Sequence, residues 1–158
     1  MAHVIVSGVR EFNGALNGIV AKQRAATRQA TAKLLHMIEK EAKANLSKTS
    51  ATGDQGRNKK GQFTKRGTTS SPPGEPPYLI TGNLRRSVNV ECPEPEGITG
   101  WKGQVGPTAV YGRIQELGGI TGAHNSQLPA RPYMQPAWET VRPLMQVEFR
   151  AAWLSALT

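Results

Sequence analysis

The sequence predicts an α+β fold in which a long N-terminal helix and a C-terminal helix pack on a small, mostly antiparallel sheet, with a long basic loop inserted. Two observations predict the helices: apolar residues recur every three or four positions over about 13–47, and again after Pro136. A third predicts the sheet, because polar and apolar residues alternate in short segments between the helices. At 158 residues the chain supports one ordinary hydrophobic core, so we predict a single domain over 1–158.

The first predicted elements are a short β-branched strand over 3–9 and a helix over 13–47 that Asn13 caps. Leu16, Ile19 and Val20 begin an apolar stripe along that helix. At about 1.5 Å per residue the helix would be about 50 Å long, which is long for a domain of this size. A helix longer than its own domain often packs against a neighbouring copy, and we expect such a contact here.

A long polar loop over 48–77 follows the helix and breaks every periodicity. It contributes +4 to the net charge of +9, whereas residues 78–158 contribute only +1. One interpretation is a basic arm that contacts nucleic acid or another subunit, and the other is a solvated tether. Phe63 is the only aromatic residue of the loop, so no set of rings can stack on bases and sequence-specific recognition is not expected. The candidate contacts with DNA or a neighbour are Arg57, Lys59, Lys60, Lys65 and Arg66.

The stretch Thr81-Gly82-Asn83 predicts the turn that ends the loop, because Gly82 supplies the positive φ that such a turn often needs. Two strands are predicted after it, over about 84–92 and 98–106, from the alternation of polar and apolar residues. The basic residues at the start of the first of these strands are Arg85 and Arg86.

A short helix is predicted next, because Val110, Tyr111, Ile114 and Leu117 have helical spacing. Gly118-Gly119 ends it in the manner usual for a helix C-terminus. Glu116 lies near that end, where a negative charge opposes the helix dipole. We therefore expect either a partner for this carboxylate or simple exposure to solvent.

The proline-rich segment over 127–138 predicts an irregular or edge strand that crosses the sheet. Pro136 suits the first residue of a final helix. Pro143 should kink that helix, because its ring clashes with the carbonyl four residues earlier. Trp138 and Trp153 lie on the apolar face of this helix, where we expect core or subunit contacts rather than a cofactor site.

Motifs of enzyme chemistry are absent from the sequence. It has no glycine-rich phosphate loop, paired cysteines, His-x-x-x-His or Gly-x-Ser-x-Gly. Cys92 is the only cysteine, and the three histidines lack the spacing of metal ligands. We predict that the protein is not an enzyme and binds no cofactor or metal. No apolar run approaches the roughly 18 residues of a membrane helix, and the N-terminus lacks the features of a signal peptide, so we expect synthesis in a cytosol and no membrane partner.

Four segments, in this order, resemble a known family. The first precedes the long helix, the second contains the turn, the third ends the short helix, and the fourth opens the final helix. They are Val6–Phe12 (Val-x-Gly-Val-x-Glu-Phe), Thr81–Ser87 (Thr-Gly-Asn-Leu-Arg-Arg-Ser), Val110–Gly119 (Val-Tyr-x-x-x-Gln-Glu-Leu-Gly-Gly) and Pro129–Ala137 (Pro-Ala-Arg-Pro-Tyr-Met-Gln-Pro-Ala). On these segments the chain resembles the tail-component or neck (head–tail connector) proteins of long-tailed lambda-like bacteriophages. The 48–77 loop departs from the family, in which a short link is usual.

The resemblance implies an α+β subunit of a virion ring, six-fold or twelve-fold, between the capsid portal and the tail tube. The implied partners are other copies of the chain, the adjacent head-closure or connector protein, the tail terminator or tail tube, and genomic DNA that passes without sequence-specific binding. Assembly is expected in the host cytoplasm. The residues expected at subunit or partner contacts are Arg85, Arg86, Tyr111, Glu116, Arg131, Tyr133, Trp138 and Trp153.

Two alternatives stay open at the level of the sequence. One is a tail terminator or tail completion protein, which shares this build but acts at another level of the stack. The other belongs to a different class, a basic protein that binds nucleic acid non-specifically, and is suggested by the sequence pI near 10.1.

Overall fold

A computed structural model of the chain describes residues 8–48, 71–97, 100–122 and 125–157. The predicted α+β class is confirmed, with helices at both ends of the described chain and short antiparallel strands between them. The elements in chain order are α1 (Val9–Asn45), α2 (Asn83–Ser87), β1 (Val88–Glu96), β2 (Gly100–Pro107), α3 (Gly112–Leu117), β3 (Gly119–Thr121), β4 (Ser126–Leu128), α4 (Met134–Val141), a 3₁₀ turn (Arg142–Leu144) and α5 (Met145–Leu157).

The strands of the described chain form two separate two-stranded antiparallel sheets rather than one sheet. β1 pairs with β2 from Val88 opposite Pro107 to Glu96 opposite Gly100, with an irregularity in the middle of β1. β3 pairs with β4 over three residues on each side. The longer hairpin packs on α1, whereas the shorter one follows α3 and leads the chain toward α4.

The hydrophobic core lies against the C-terminal half of α1. That half contacts α4, α5, β1 and β2, and every buried residue of α1 lies at Ala26 or later. The i, i+4 spacing of its buried side chains places them on one face of the helix. The buried cluster consists of Leu34, Ile38, Ala42, Leu46, Val88, Tyr133, Ala137 and Val141.

α5 runs antiparallel to α1 along the same seam. Lys33 and Glu148 form an ion pair at 2.5 Å, and the Trp153 indole N–H donates to the Thr27 hydroxyl at 2.9 Å. The Gln23 side chain then donates to the Trp153 carbonyl at 3.4 Å. Residue numbers therefore fall along α1 as they rise along α5, and α5 reaches along α1 only to about the end of its first third.

The start of α1 differs from the prediction. The helix begins at Val9, directly after Gly8 in a left-handed conformation with φ of 92°, so Asn13 lies inside the helix and does not cap it. The strand expected over 3–9 is wrong at Val9, which is helical, and residues 3–7 lie outside the described residues. Glu11 in the first turn favours this earlier start, because a negative charge stabilises the N-terminal end of the helix dipole.

The strand expected from residue 84 begins four residues later. The Gly82 turn is confirmed, with φ of 73°, but the chain continues from it into α2. The Arg86 amide donates to the Gly82 carbonyl at 2.9 Å, which is an i to i−4 bond. Polar and apolar residues alternate over too few positions here to predict a strand reliably. The strand itself starts at Val88.

The predicted helix ends are confirmed. Gly118, with φ of 71°, ends α3, and the 3₁₀ turn at Pro143 separates α4 from α5. Of the proline-rich segment over 127–138 only Gln127 and Leu128 lie in a strand, β4, which belongs to the small hairpin rather than crossing a larger sheet. Pro136 is the third residue of α4 rather than the first.

Candidate functional site

The third and fourth segments of the resemblance meet at the start of α4. The Glu116 carboxylate, at the end of α3, accepts hydrogen bonds from the amides of Tyr133 (2.8 Å), Met134 (3.0 Å) and Gln135 (2.9 Å). A helix begins with four amides that have no partner within the helix. Counted from the N-cap residue Tyr133, the fourth of these positions is Pro136, which has no N–H. The other three amides all donate to Glu116, so none of the four positions has an unpaired N–H.

Further bonds join the same two segments to their surroundings. The Arg131 amide donates to the Gln115 carbonyl at 2.8 Å, and the Arg131 Nε donates to the Ser71 carbonyl at 3.0 Å. At Gly118 an added Cβ would lie 2.8 Å from both the Leu128 carbonyl oxygen and the Ala130 nitrogen. We call the group formed by Gln115, Glu116, Gly118, Arg131 and Tyr133 the capping junction.

Tyr133 anchors the capping junction in the core. Its side chain is fully buried, and its hydroxyl donates to the Gly112 carbonyl at 3.2 Å. The Asn45 side chain donates to the Tyr133 carbonyl at 3.1 Å, which ties the end of α1 to the start of α4. Burial, with the nearby Glu116 charge, raises the pKa of the Tyr133 phenol well above its ordinary range, so the phenol stays neutral.

These contacts change the interpretation of three residues that we expected at partner contacts. Tyr133 requires correction, because a side chain with no exposed surface cannot contact a neighbouring subunit. Glu116 is neither a free carboxylate nor directed to another chain, since both of its oxygens accept amides of α4. Arg131 is half-buried and bonds within the subunit. The Glu116 and Tyr133 side chains therefore join α3 to the start of α4, and the Arg131 side chain bonds to the Ser71 carbonyl, all within the subunit.

The remaining predicted contacts lie at the surface. Arg85, Tyr111 and Trp138 are exposed, and Trp153 is about half-exposed with its indole N–H bonded to Thr27. Arg86 is exposed and donates to the Thr81 carbonyl and the Asn83 side chain at the turn before α2. The basic loop residues Arg57, Lys59, Lys60, Lys65 and Arg66 lie outside the described residues.

The first third of α1 carries a row of large apolar side chains that face solvent. Each is 46–66% exposed, and none of the described residues buries them. Their spacing continues the seam that α5 covers further along the helix. We call this row the α1 stripe, and its members are Val9, Phe12, Leu16, Ile19 and Val20.

The helix around the α1 stripe has no charge over residues 13–21, although the chain as a whole carries +9. Gly14 and Gly18 lie on this segment, and a Cβ added at either would meet nothing within 4 Å. Glycine costs about 1 kcal/mol relative to alanine in a helix, and most helices in proteins are stabilised by tertiary packing. An exposed, uncharged, glycine-containing helix is therefore typical of a surface that another chain covers.

A second apolar surface lies on α5. A groove of about 870 Å³ is lined mainly by apolar side chains of that helix, together with Thr27 of α1, Arg142, Gln146 and Arg150. Leu154 and Leu157 are more than half-exposed. We call it the α5 groove, and its apolar lining consists of Met145, Phe149, Trp153, Leu154 and Leu157.

Clusters of metal-binding side chains are not found in the described ranges. No group of three or more His, Cys, Asp or Glu residues there could hold a metal ion. In the same ranges no helix combines the length and the apolar character that crossing a bilayer requires. Comparisons with protein-family models, curated proteins and solved structures find no match to this chain. The resemblance carried by the four sequence segments therefore stays a prediction.

Proposed function

We propose that the chain is a structural subunit of the neck of a long-tailed bacteriophage. In this proposal copies of the chain form a closed ring between the portal and the tail tube, and the genome passes through the ring. The observation that carries the proposal is the α1 stripe, because it gives the subunit a large apolar surface with no counterpart among the described residues of its own chain.

The two apolar surfaces fit a ring better than a two-fold dimer. A two-fold contact pairs one surface with itself, whereas a ring needs two different surfaces that meet head to tail. The α1 stripe is a row of side chains on the first third of α1, and the α5 groove is a concave surface on α5 that adjoins α1 at Thr27. In the proposed ring the α1 stripe of one copy packs into the α5 groove of the next.

Burial of the α1 stripe would make a favourable hydrophobic contribution to this contact. Fully burying an exposed Val, Leu, Ile or Phe side chain contributes about 1.5–3 kcal/mol. The members of the α1 stripe are about half-exposed, so covering them would contribute about 1 kcal/mol each, or about 5 kcal/mol together. Several such contacts close a ring, and each subunit then takes part in two.

Electron microscopy of lysates from phage that lack this gene tests the proposed role. We expect DNA-filled heads beside separate tails of normal length, because a missing neck ring prevents joining. Tails of uncontrolled length would contradict the neck assignment and indicate a tail terminator. Intact infectious particles would contradict a role in the virion and favour the non-specific nucleic-acid-binding protein.

A further inference from the structure

A basic surface lies between the C-terminal half of α1 and α2, on the solvent side of α1. A cleft of about 400 Å³ there is lined by Lys40 and Lys43 of α1 and by Arg85 of α2. A second cleft of about 470 Å³ shares Lys43 and Arg85 and adds Arg86. We call the two together the basic cleft, defined by Lys40, Lys43, Arg85 and Arg86.

Among the described residues, Glu39 is the only acid that lines the basic cleft. It accepts a hydrogen bond from Lys43 at 2.5 Å and lies 3.0 Å from the His36 ring nitrogen. These two partners hold the pKa of Glu39 below its usual value, so the carboxylate is ionised and offsets one of the four cations. The basic cleft therefore keeps a clear excess of positive charge.

The lining of the basic cleft indicates whether its partner is an acidic protein surface or a nucleic acid. Protein interfaces have an apolar centre with a polar rim. The first cleft is lined by polar and charged side chains and by Ala44, with no large apolar residue among them. The second cleft contains two large apolar residues, Leu79 and Ile80, together with its three cations. Cations spread over two adjoining clefts suit a chain of phosphates rather than a single anion.

We propose that the basic cleft binds the phosphate backbone of double-stranded DNA, without regard to sequence. The binding belongs to the single subunit. It rests on the proposed neck function only for the statement that the DNA it meets is the genome passing through the ring. The residues that define the basic cleft are described residues outside the 48–77 loop, and the cleft lies at the opposite end of α1 from the α1 stripe.

A charge-matched pair of variants tests the assignment. Lys40→Gln/Arg85→Gln removes two cations of the basic cleft, and Lys22→Gln/Lys102→Gln removes two exposed cations that do not line it. Lys22 lies eighteen residues before Lys40, which is about 27 Å along α1. The mass in solution and the thermal unfolding of wild type and of both variants are measured first. A failure to assemble is then recorded separately from a failure to bind DNA.

The readout is fluorescence anisotropy of a labelled 30-base-pair duplex at several salt concentrations. Each lost phosphate contact lowers the slope of log K against log salt by about one. We expect the cleft variant to lose about two units of slope and about tenfold or more in affinity at low salt, and the control variant to stay near wild type. The expected losses are the same for duplexes of different sequence.

Four results would overturn the proposal. They are no binding of duplex DNA by the wild-type chain, equal losses in the two variants, equally tight and cleft-dependent binding of inorganic phosphate, or preferential binding of a poly-glutamate peptide. The last would identify an acidic protein segment as the occupant. A monomeric wild-type chain that still binds DNA through the basic cleft would support this inference while contradicting the proposed ring.

Discussion

At the residue scale, a single carboxylate supplies the hydrogen-bond acceptors for the first turn of α4. Glu116 accepts hydrogen bonds from three successive amides, and the next residue, Pro136, has no N–H to donate. The amides at a helix N-terminus carry a partial positive charge, so bonds to a carboxylate are stronger there than bonds to a neutral acceptor. The carboxylate opposes the helix dipole at the end of α3 but complements the dipole at the start of α4.

Replacing Glu116 tests this role. Glu116→Gln keeps the size of the side chain but removes its charge and one of its two acceptor oxygens. We expect a loss of about 1–2 kcal/mol in the free energy of unfolding, measured by urea denaturation. Glu139→Gln is the matched control, since Glu139 is an exposed acid of α4 whose one hydrogen bond among the described residues comes from the Gln135 side chain, and we expect a change below about 0.5 kcal/mol. Equal losses in the two variants would remove the capping role.

Tyr133 gives a prediction about alkaline pH. Burial raises the pKa of the Tyr133 phenol in the folded chain, whereas in the unfolded chain it ionises near its ordinary pKa of about 10. Above pH 10 the unfolded state releases a proton that the folded state retains, so the Tyr133 contribution to stability is present below pH 10 and is lost as pH rises above it.

Tyr133→Phe keeps the ring but removes the ionisable hydroxyl and its bond to the Gly112 carbonyl. We expect a loss of about 1 kcal/mol at pH 7 and a shallower fall in stability between pH 9 and 11 than in wild type. Thermal unfolding across this pH range measures both effects. An identical pH dependence in the two proteins would show that Tyr133 does not carry the alkaline sensitivity.

The role of Glu116 could be anticipated from the sequence only in part. Its position at a helix C-terminus is electrostatically unfavourable, and that misfit indicates a partner elsewhere. The partner amides lie about seventeen residues later in the chain, beyond a hairpin whose strands are only three residues long. Local patterns do not contain a contact at that separation, and the burial of Tyr133 was missed for the same reason.

At the element scale, Gly118 lets α3 turn directly into β3. Its φ of 71° and ψ of −175° belong to a region that is essentially restricted to glycine. The chain also approaches closely there, since Leu128 and Ala130 backbone atoms occupy the place of a side chain. The third segment of the resemblance thus has a glycine at position 118 for two physical reasons, conformation and space.

Gly118→Ala should therefore destabilise the subunit by about 2–4 kcal/mol, because backbone atoms cannot move aside as a flexible side chain can. Gly106→Ala is the control, since its backbone is not in the left-handed region and an added Cβ would meet nothing within 4 Å. We expect a change within about 0.5 kcal/mol for the control. Chemical denaturation of both variants decides the matter, and a tolerated Gly118→Ala would contradict the close approach.

Turns and helix ends that are marked by a glycine or a proline were predicted best. Gly82, Gly118 and Pro143 each mark a turn, an end or a break where the sequence placed one. The errors fall where a pattern was short: α2 occupies the first residues of a predicted strand, and α1 starts earlier than its assumed cap. The long stripe of α1 was predicted because many turns repeat it, but which part of it is covered depends on where α5 ends.

At the scale of the whole molecule, α1 connects two different surfaces. Its C-terminal half packs into the core on one face and borders the basic cleft on the other, while its first third projects with the α1 stripe exposed. Apolar and basic surfaces lie at opposite ends of one helix of about 55 Å. We infer that the subunit is completed by a neighbour at one end and is free to meet a polyanion at the other.

The central claim is that another copy of the chain covers the α1 stripe. The most direct test is the mass in solution, by multi-angle light scattering, of wild type, Phe12→Gln/Leu16→Gln and the control Val110→Gln. Val110 is a control because it is 99% exposed and lies outside both apolar surfaces. Glutamine is a good helix former, so the double variant keeps α1 while removing its apolar side chains.

We expect wild type and the control to have one fixed mass that is a multiple of 17.1 kDa, and the double variant to have the mass of the single subunit. A wild-type chain that stays at 17.1 kDa over the whole concentration range, or a double variant that keeps the wild-type mass, would contradict the claim.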